Sequence, residues 1–335
     1  MLNELVQHSN KLAEEHRKDP AFAARMELAS QGQFPKYLLI SPITHSSQDL
    51  QVFNMNMGDA FRATRIPGHA LPTPKLSPFL FQGPASYNHD FPDQKGVIVT
   101  FEKEESLEII RETIDNICLH PDLQGLPIIA FQVDYQTGRV KLIVHSKGRS
   151  YEYENRLLAH IRRPDQVDND TLVLICSDSR VCPPITTHGH PLSIQTLGGY
   201  IPAFTEKPDE TEQLNEFFEK WVSSTDNPKQ IVIVAHGNFE GEGPSCGAGI
   251  GSLDPARIRN PSLKLVMEEL NRAARDHETH PPESPEERVI TLSKVTRAHL
   301  LTYPAIADAH SVFQLAIDEL VMDTVTNTLH QLDDS

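Results

Sequence analysis

The sequence predicts an α/β fold made of two similar units, each with a mostly parallel central sheet flanked by helices. Three observations predict it. Short all-apolar runs such as "TLVLIC" (171–176) and "KQIVIVAH" (229–236) read as strands buried on both faces, which parallel strands covered by helices require. Segments with apolar residues at helical spacing alternate with those runs. The order of elements in the first half of the chain recurs in the second.

Residues 2–18 and 20–31 read as helices. The first is amphipathic and lacks the continuous apolar stretch of a signal peptide. "KYLLIS" (36–41) and "KGVIVTF" (95–101) are short strands, and "SLEIIRETIDNICLH" (106–120) repeats its apolar residues at helical spacing. "LPIIAFQVDYQTGRVKLIV" (126–144) reads as two strands about a Gln-Thr-Gly turn. In the second half a helix, "ETEQLNEFFEKWVSS" (210–224), separates "TLVLIC" from "KQIVIVAH".

Residues 109–144 can be laid over 295–332. Each stretch has a helix, a His-Pro or Tyr-Pro break, and then a strand running through Asp-x-x-Thr. Residues 36–69 parallel 171–200 in the same way. The chain therefore divides into two divergent copies, 1–150 and 151–335, joined near "HSKGRSYEYEN" (145–155).

At 335 residues with 39% hydrophobic content, the chain can bury a sizeable core. A formal charge of −16 argues against nucleic acid or an anionic membrane as partner. No run approaches the roughly 20 apolar residues of a membrane span. Four cysteines, Cys118, Cys176, Cys182 and Cys246, are too sparse for a disulfide scaffold, so free thiols or metal ligands in a reducing cytoplasm are expected.

The chemistry concentrates in "CSDSRV" (176–181) and "IVIVAHGNFEGEGPSCGAG" (231–249). Cys176 ends one apolar strand and His236 another, and a Gly-rich loop then reaches Cys246. Open α/β sheets place ligand sites at such strand ends. Each residue alone has an ordinary structural explanation: a packing thiol, a satisfied histidine, a plain loop. Together with Asp178 and Arg180, they point to a Cys₂His metal site with its fourth position open. Thiolates favour zinc, and would also accept cadmium or cobalt.

These residues resemble the β-class carbonic anhydrases, whose signature is Cys-x-Asp-x-Arg followed by a His and a Cys. "NKLAEEHRKDPAFAARMELASQGQFPKYLLIS" (10–41) is similar to that family's N-terminal helices and the Gly-Gln-x-Pro-Lys leading into its first strand. The resemblance implies zinc, one per chain, on Cys176, His236 and Cys246, with Asp178 and Arg180 as the adjoining catalytic dyad. It implies hydration of CO₂ to bicarbonate by a metal-bound hydroxide, with Asp178 orienting the hydroxide and Arg180 holding Asp178 off the metal. The same site would also serve a carbonyl sulfide or carbon disulfide hydrolase, or a non-catalytic bicarbonate-binding protein.

Laid on the motif, "KYLLISPITHSS" puts Pro42, Thr44 and Ser46 at the Cys, Asp and Arg positions, so the first copy is expected to hold no metal. The family's dimers place active sites at the subunit interface, where the Gln of Gly-Gln-x-Pro-Lys reaches the partner's pocket. Here the resemblance implies an intramolecular pseudo-dimer in which Gln33 of the silent copy binds substrate at the live one. The equivalent position before Cys176 is near Val167. Gly198 and Gly199 of "LSIQTLGGY" join Gln33 as candidate substrate-binding residues, and further association of such chains into a homo-oligomer stays open. The nine residues between His236 and Cys246 depart from the family's His-x-x-Cys. Long spacings of this kind also mark carboxysomal and cadmium-using relatives of the fold. Glu240 and Glu242 in that loop are expected at a solvated rim, Cys182 as a packing thiol, and His188 or His190 as candidate proton shuttles.

Overall fold

A computed structural model describes residues 2–147, 150–160, 166–205, 208–239, 243–278, 280–282 and 284–332. The first unit opens with helices α1 (Leu2–His16) and α2 (Pro20–Gln31). It continues through β1 (Tyr37–Pro42), α3 (Asp49–Val52), β2 (Ala60–Arg65), α4 (Gly83–His89), β3 (Gly96–Glu102) and α5 (Leu107–Cys118), and ends with β4 (Ile128–Asp134), β5 (Arg139–Lys147) and β6 (Ser150–His160). The second unit runs β7 (Val167–Cys176), β8 (His190–Thr196), α6 (Pro208–Val222), β9 (Lys229–Gly237), α7 (Gly247–Leu253) and α8 (Pro261–Arg275). It closes with α9 (Pro285–Leu300), α10 (Pro304–Ser311), β10 (Leu315–Asp323) and β11 (Leu329–Gln331).

The helix starts follow from local chemistry. Asp19, Ser106, Asn260 and Ser284 each cap a helix by accepting a backbone N–H two or three residues on, and three of the four are followed by proline at the first helical position. That cap is why the helix expected over 106–120 begins at Leu107. No helix among the described residues is long and apolar enough to cross a membrane.

The two sheets share one topology. The first is ordered β2-β1-β3-β4-β5-β6 and the second β8-β7-β9-β10-β11. In each, the first three pairings are parallel and the next is antiparallel. Strands β1 to β5 thus recur as β7 to β11, as the repeat in the sequence predicts. The first sheet carries one strand more: β6 pairs antiparallel with β5, so this sheet extends beyond residue 150 to His160. The expected junction at 145–155 falls within the pairing of β5 with β6, where Lys147 is level with Ser150.

The units pack as an intramolecular pseudo-dimer, and their seam repeats across a local two-fold. The Arg62 N–H of β2 donates to the Ser177 carbonyl at 3.1 Å, and the Ser193 N–H of β8 donates to the Ile43 carbonyl at 3.1 Å. Arg62 stands three residues before the end of β2, as Ser193 does in β8. Ser177 and Ile43 follow Cys176 and Pro42, the last residues of β7 and β1.

The N-terminal helix crosses to the other unit, where Asn10 exchanges hydrogen bonds with the Leu329 backbone at 2.7 and 3.0 Å. One apolar core runs through both units, with Leu38, Phe61 and Val99 in the same cluster as Val173, Ile175 and Val234. Helix α4 enters this seam so closely that a Cβ on Gly83 would lie 2.9 Å from Leu197.

Candidate metal centre

Strand geometry brings the three expected ligands together. Cys176 ends β7, His236 lies near the end of the adjacent β9, and Cys246 stands at the N-cap of α7. Their ligand atoms all lie within 4.8 Å of one another, and among the described residues no other group of His, Cys, Asp or Glu converges this way. The two sulfurs are 3.9 Å apart. Tetrahedral zinc with Zn–S of about 2.3 Å needs about 3.8 Å. His236 Nδ1 faces the Thr324 hydroxyl at 3.2 Å, while its buried Nε2 has no hydrogen-bond partner among the described residues. A ring nitrogen anchored on one side and bare on the other suits a metal ligand. The residues therefore fit the group that the sequence implies.

Asp178 and Arg180 are each about 2% exposed or less and form a closed pair. Arg180 Nη2 donates to Asp178 Oδ2 at 2.6 Å, its Nε donates to Oδ1 at 3.0 Å, and its backbone N–H donates to Oδ1 at 2.8 Å. Two-pronged guanidinium binding fixes the carboxylate's orientation. Asp178 Oδ2 is still 3.7 Å from His236 Nε2, so the held carboxylate borders the metal position without joining the ligand group.

The same guanidinium explains how a long loop returns Cys246 to the site. Arg180 Nη1 and Nη2 donate to the carbonyls of Pro244 and Ser245 at 2.7 and 2.9 Å. Asn238 adds a bond to the Gly243 carbonyl at 3.0 Å. Both ends of the loop are thereby pinned. Glu240 and Glu242 lie outside the described residues.

Electrostatics here are set by burial and by close charge. Burial alone would raise the Asp178 carboxyl, but Arg180 and then His236 outweigh it and hold it below its ordinary value. Burial pushes the Cys176 thiol up, whereas the hydrogen bond from Cys176 holds Cys246 down. The Gly198 N–H donates to Cys176 Sγ at 3.2 Å, and such a donor favours the thiolate. Gly198, a candidate substrate-binding residue, thus turns its N–H to a ligand sulfur. Gly198 and Gly199 both adopt φ of +68°, a conformation that admits glycine readily, and Gly199 backs onto Ile175.

The first unit contributes to this site. Gln33 Nε2 donates to the Tyr87 hydroxyl at 3.4 Å, and its buried Oε1 has no partner among the described residues. Tyr87, on α4, sets its hydroxyl against the Gly247 backbone, where any Cβ would overlap it. Burial, and then the charges of Asp178 and Cys246, push the Tyr87 phenol above its ordinary value. It stays a protonated donor. Reading the sequence misses Tyr87, because nothing in "GPASYNHD" marks it until the units are packed.

The candidate shuttles are misplaced for that role. His190 pairs with Val167 at the start of β8, whereas Cys176 is level with Thr196 at its end. At about 3.3 Å per residue, the six-residue offset puts His190 roughly 20 Å along the sheet. His188 lies in the turn just before it. Cys182 is partly buried and outside the ligand group.

In the first unit the matching positions carry different chemistry. Ile40 is level with Val99 as Ile175 is with Val234. Glu102 accordingly stands one residue past the level of Pro42, as His236 stands one past that of Cys176. Glu102 pairs with Val133 as His236 pairs with Met322, which makes Tyr135 the counterpart of Thr324. Thr44 donates to Glu102, and Ser46 bonds the Ser193 carbonyl at 2.7 Å.

No family model matches the chain, and no curated protein matches it. Among solved structures, it is similar to the β-carbonic anhydrase CcaA, at 22% identity and a TM-score of 0.37 over 48% of this chain and 71% of that one. It is also similar to a tetrameric β-carbonic anhydrase of Sordaria macrospora, at 20% identity and a TM-score of 0.37 over 49% of this chain and 80% of that one. A Coccomyxa β-carbonic anhydrase in complex with acetazolamide matches at 19% identity and a TM-score of 0.35, over 49% and 71%. These three solved structures are β-carbonic anhydrases, and each match spans about half of this two-unit chain.

Proposed function

We propose that the protein is a zinc enzyme catalysing the reversible hydration of CO₂ to bicarbonate, with one active centre in the second unit. The observation that carries this reading is the carboxylate of Asp178, locked by Arg180 beside three converging ligands yet outside their group. Zinc bound to Cys176, His236 and Cys246 supplies a Lewis acid that makes water nucleophilic near neutral pH.

The chain's own residues do the rest. Asp178 Oδ2, kept ionised by Arg180, accepts a proton-bearing donor in the pocket and so orients the reacting oxygen. Arg180 keeps that carboxylate from swinging into the open coordination position. Gln33 Oε1, a buried acceptor without a partner among the described residues, takes the hydrogen bond of bicarbonate's own OH, and Tyr87 Oη fixes the Gln33 amide. Thr324 holds the His236 ring by its Nδ1. Near-complete burial of Asp178, Arg180, His236 and Thr324 strengthens their interactions by excluding water.

The test is zinc content per chain together with stopped-flow CO₂ hydration, on the wild type, Asp178→Asn and Gln33→Ala. One zinc per chain is expected, with hydration that falls about 100-fold or more in Asp178→Asn while zinc is retained. Gln33→Ala should lower the rate by a smaller factor, about 10-fold. A fully zinc-loaded wild type without hydration would overturn the reading in favour of a sulfur-substrate hydrolase or a bicarbonate-binding protein.

A further inference from the structure

The first unit has lost the metal ligands but kept an opening in their place. A cavity of about 770 Å³ lies at the ends of β3 and β4, and Glu102, Tyr135 and Val167 are among its lining. These are the counterparts of His236, Thr324 and Gln33: Val167 precedes Cys176 by nine residues, as Gln33 precedes Pro42. The cavity is therefore the pseudo-symmetric partner of the metal pocket, walled by both units in the same way. Its volume suits a small-molecule site, about 300–1,000 Å³.

Its lining is acidic. Glu102, Glu104 and Asp134 line it, with no lysine or arginine among the described lining residues. Lys103, just outside, reaches Asp134 at 3.1 Å and Glu104 at 3.8 Å, whereas Glu102 faces His45 Nε2 at 3.7 Å. Glu102 is bonded by the neutral Thr44 hydroxyl, and burial raises its carboxyl above the ordinary value. A positive partner would reverse that cost. His45 stacks on Tyr135 with ring centroids 3.7 Å apart and planes at 12°. Burial lowers its pKa, which keeps the imidazole neutral at pH 7. The stacked rings give an aromatic wall of the kind cations favour, and Gln48 and Gln166 add amides.

We propose that this cavity binds a small organic cation, an ammonium or guanidinium on a short body, with Glu102 as its counter-ion. A bare divalent metal is the poorer fit. Its ligands would have to converge, and among the described residues only Cys176, His236 and Cys246 do so. Carboxylates spread around a roomy cavity suit an extended ligand with charge and hydrogen-bond donors at separate points. The second unit would then receive an anion and the first a cation, from one ancestral pocket.

Calorimetric titration of agmatine, which carries both cationic groups, into the zinc-loaded full-length protein tests this. One site per chain is expected, with affinity at least tenfold weaker in Glu102→Gln and several-fold weaker in Glu104→Gln. Zinc content and thermal midpoint should be unchanged in both variants. Glu104 is largely exposed, so its variant is informative even if Glu102→Gln folds poorly. Absence of saturable binding, or equal affinity in wild type and both variants, overturns the proposal. Tighter binding of Mg²⁺ or Ca²⁺ than of agmatine overturns the choice of an organic cation. The readout is independent of CO₂ hydration, so failure of the proposed activity would leave it standing.

Discussion

At the scale of single residues, the centre depends on groups that touch no substrate. Thr324 is one, because its hydroxyl is the partner of His236 Nδ1. Thr324→Val should weaken zinc binding by about 10–100-fold, the usual effect of removing an outer partner. Competition with a chromogenic chelator measures this, and an unchanged affinity would remove Thr324 from the site's support. Arg180 is another, since it holds Asp178 and two loop carbonyls with one planar group. Lysine keeps the charge but cannot make those bonds together. Arg180→Lys should therefore lose about 10–100-fold in hydration rate with zinc still bound, and full activity would show that charge alone suffices. In the first unit, buried Arg65 donates to Glu105 through two nitrogens. Arg65→Met leaves that carboxylate without its cation, held only by the Gly68 and Glu102 N–H groups, and should cost about 3–5 kcal/mol in urea denaturation. A cost under about 1 kcal/mol would mean that Glu105 finds water or another partner.

At the scale of elements, function depends on where strands stop and helices begin. Both β7 and β9 are buried along their apolar runs and end in ligands. Helix α7 begins right after Cys246, and α4 brings Tyr87 against its first residue. Gly247 has to be glycine because any side chain would collide with that tyrosine. Gly247→Ala should destabilise the fold by about 1–3 kcal/mol, the range for overpacking, and displace Tyr87 from Gln33. Wild-type stability and hydration in this variant would contradict the close approach of α4 and α7.

At the scale of the whole molecule, two sheets of like topology share one core. The N-terminal helix binds the far edge strand, the β2–β8 seam repeats its hydrogen bonds across a local two-fold, and apolar side chains of both units mix in one cluster. Each fully buried aliphatic contributes about 1.5–3 kcal/mol, so neither unit keeps its stability without the other. Calorimetry should record a single unfolding transition whose calorimetric and van't Hoff enthalpies agree. Two resolved transitions would show that the units fold as separate domains.

By itself the sequence determined β1, β3, α5, β7 and β9, the repeat, and the residue types of the centre. Apolar runs fix β7 and β9, and Cys176 and His236 fall at their ends by simple continuation of the chain. The aspartate and arginine two and four residues past Cys176 were legible for the same reason. Tertiary structure alone decided that Tyr87 meets Gly247, that Thr324 anchors His236, that Gly198 gives its N–H to a sulfur, and that Arg180 pins the long loop. It also set His190 at the wrong end of β8 to move protons, although it lies only fourteen residues from Cys176 in the chain. The physical reason is distance along the chain. Periodicity and caps act within a few residues, whereas these contacts join segments tens to hundreds of residues apart, and they become neighbours only when the second sheet assembles or, for Tyr87, when one unit packs against the other.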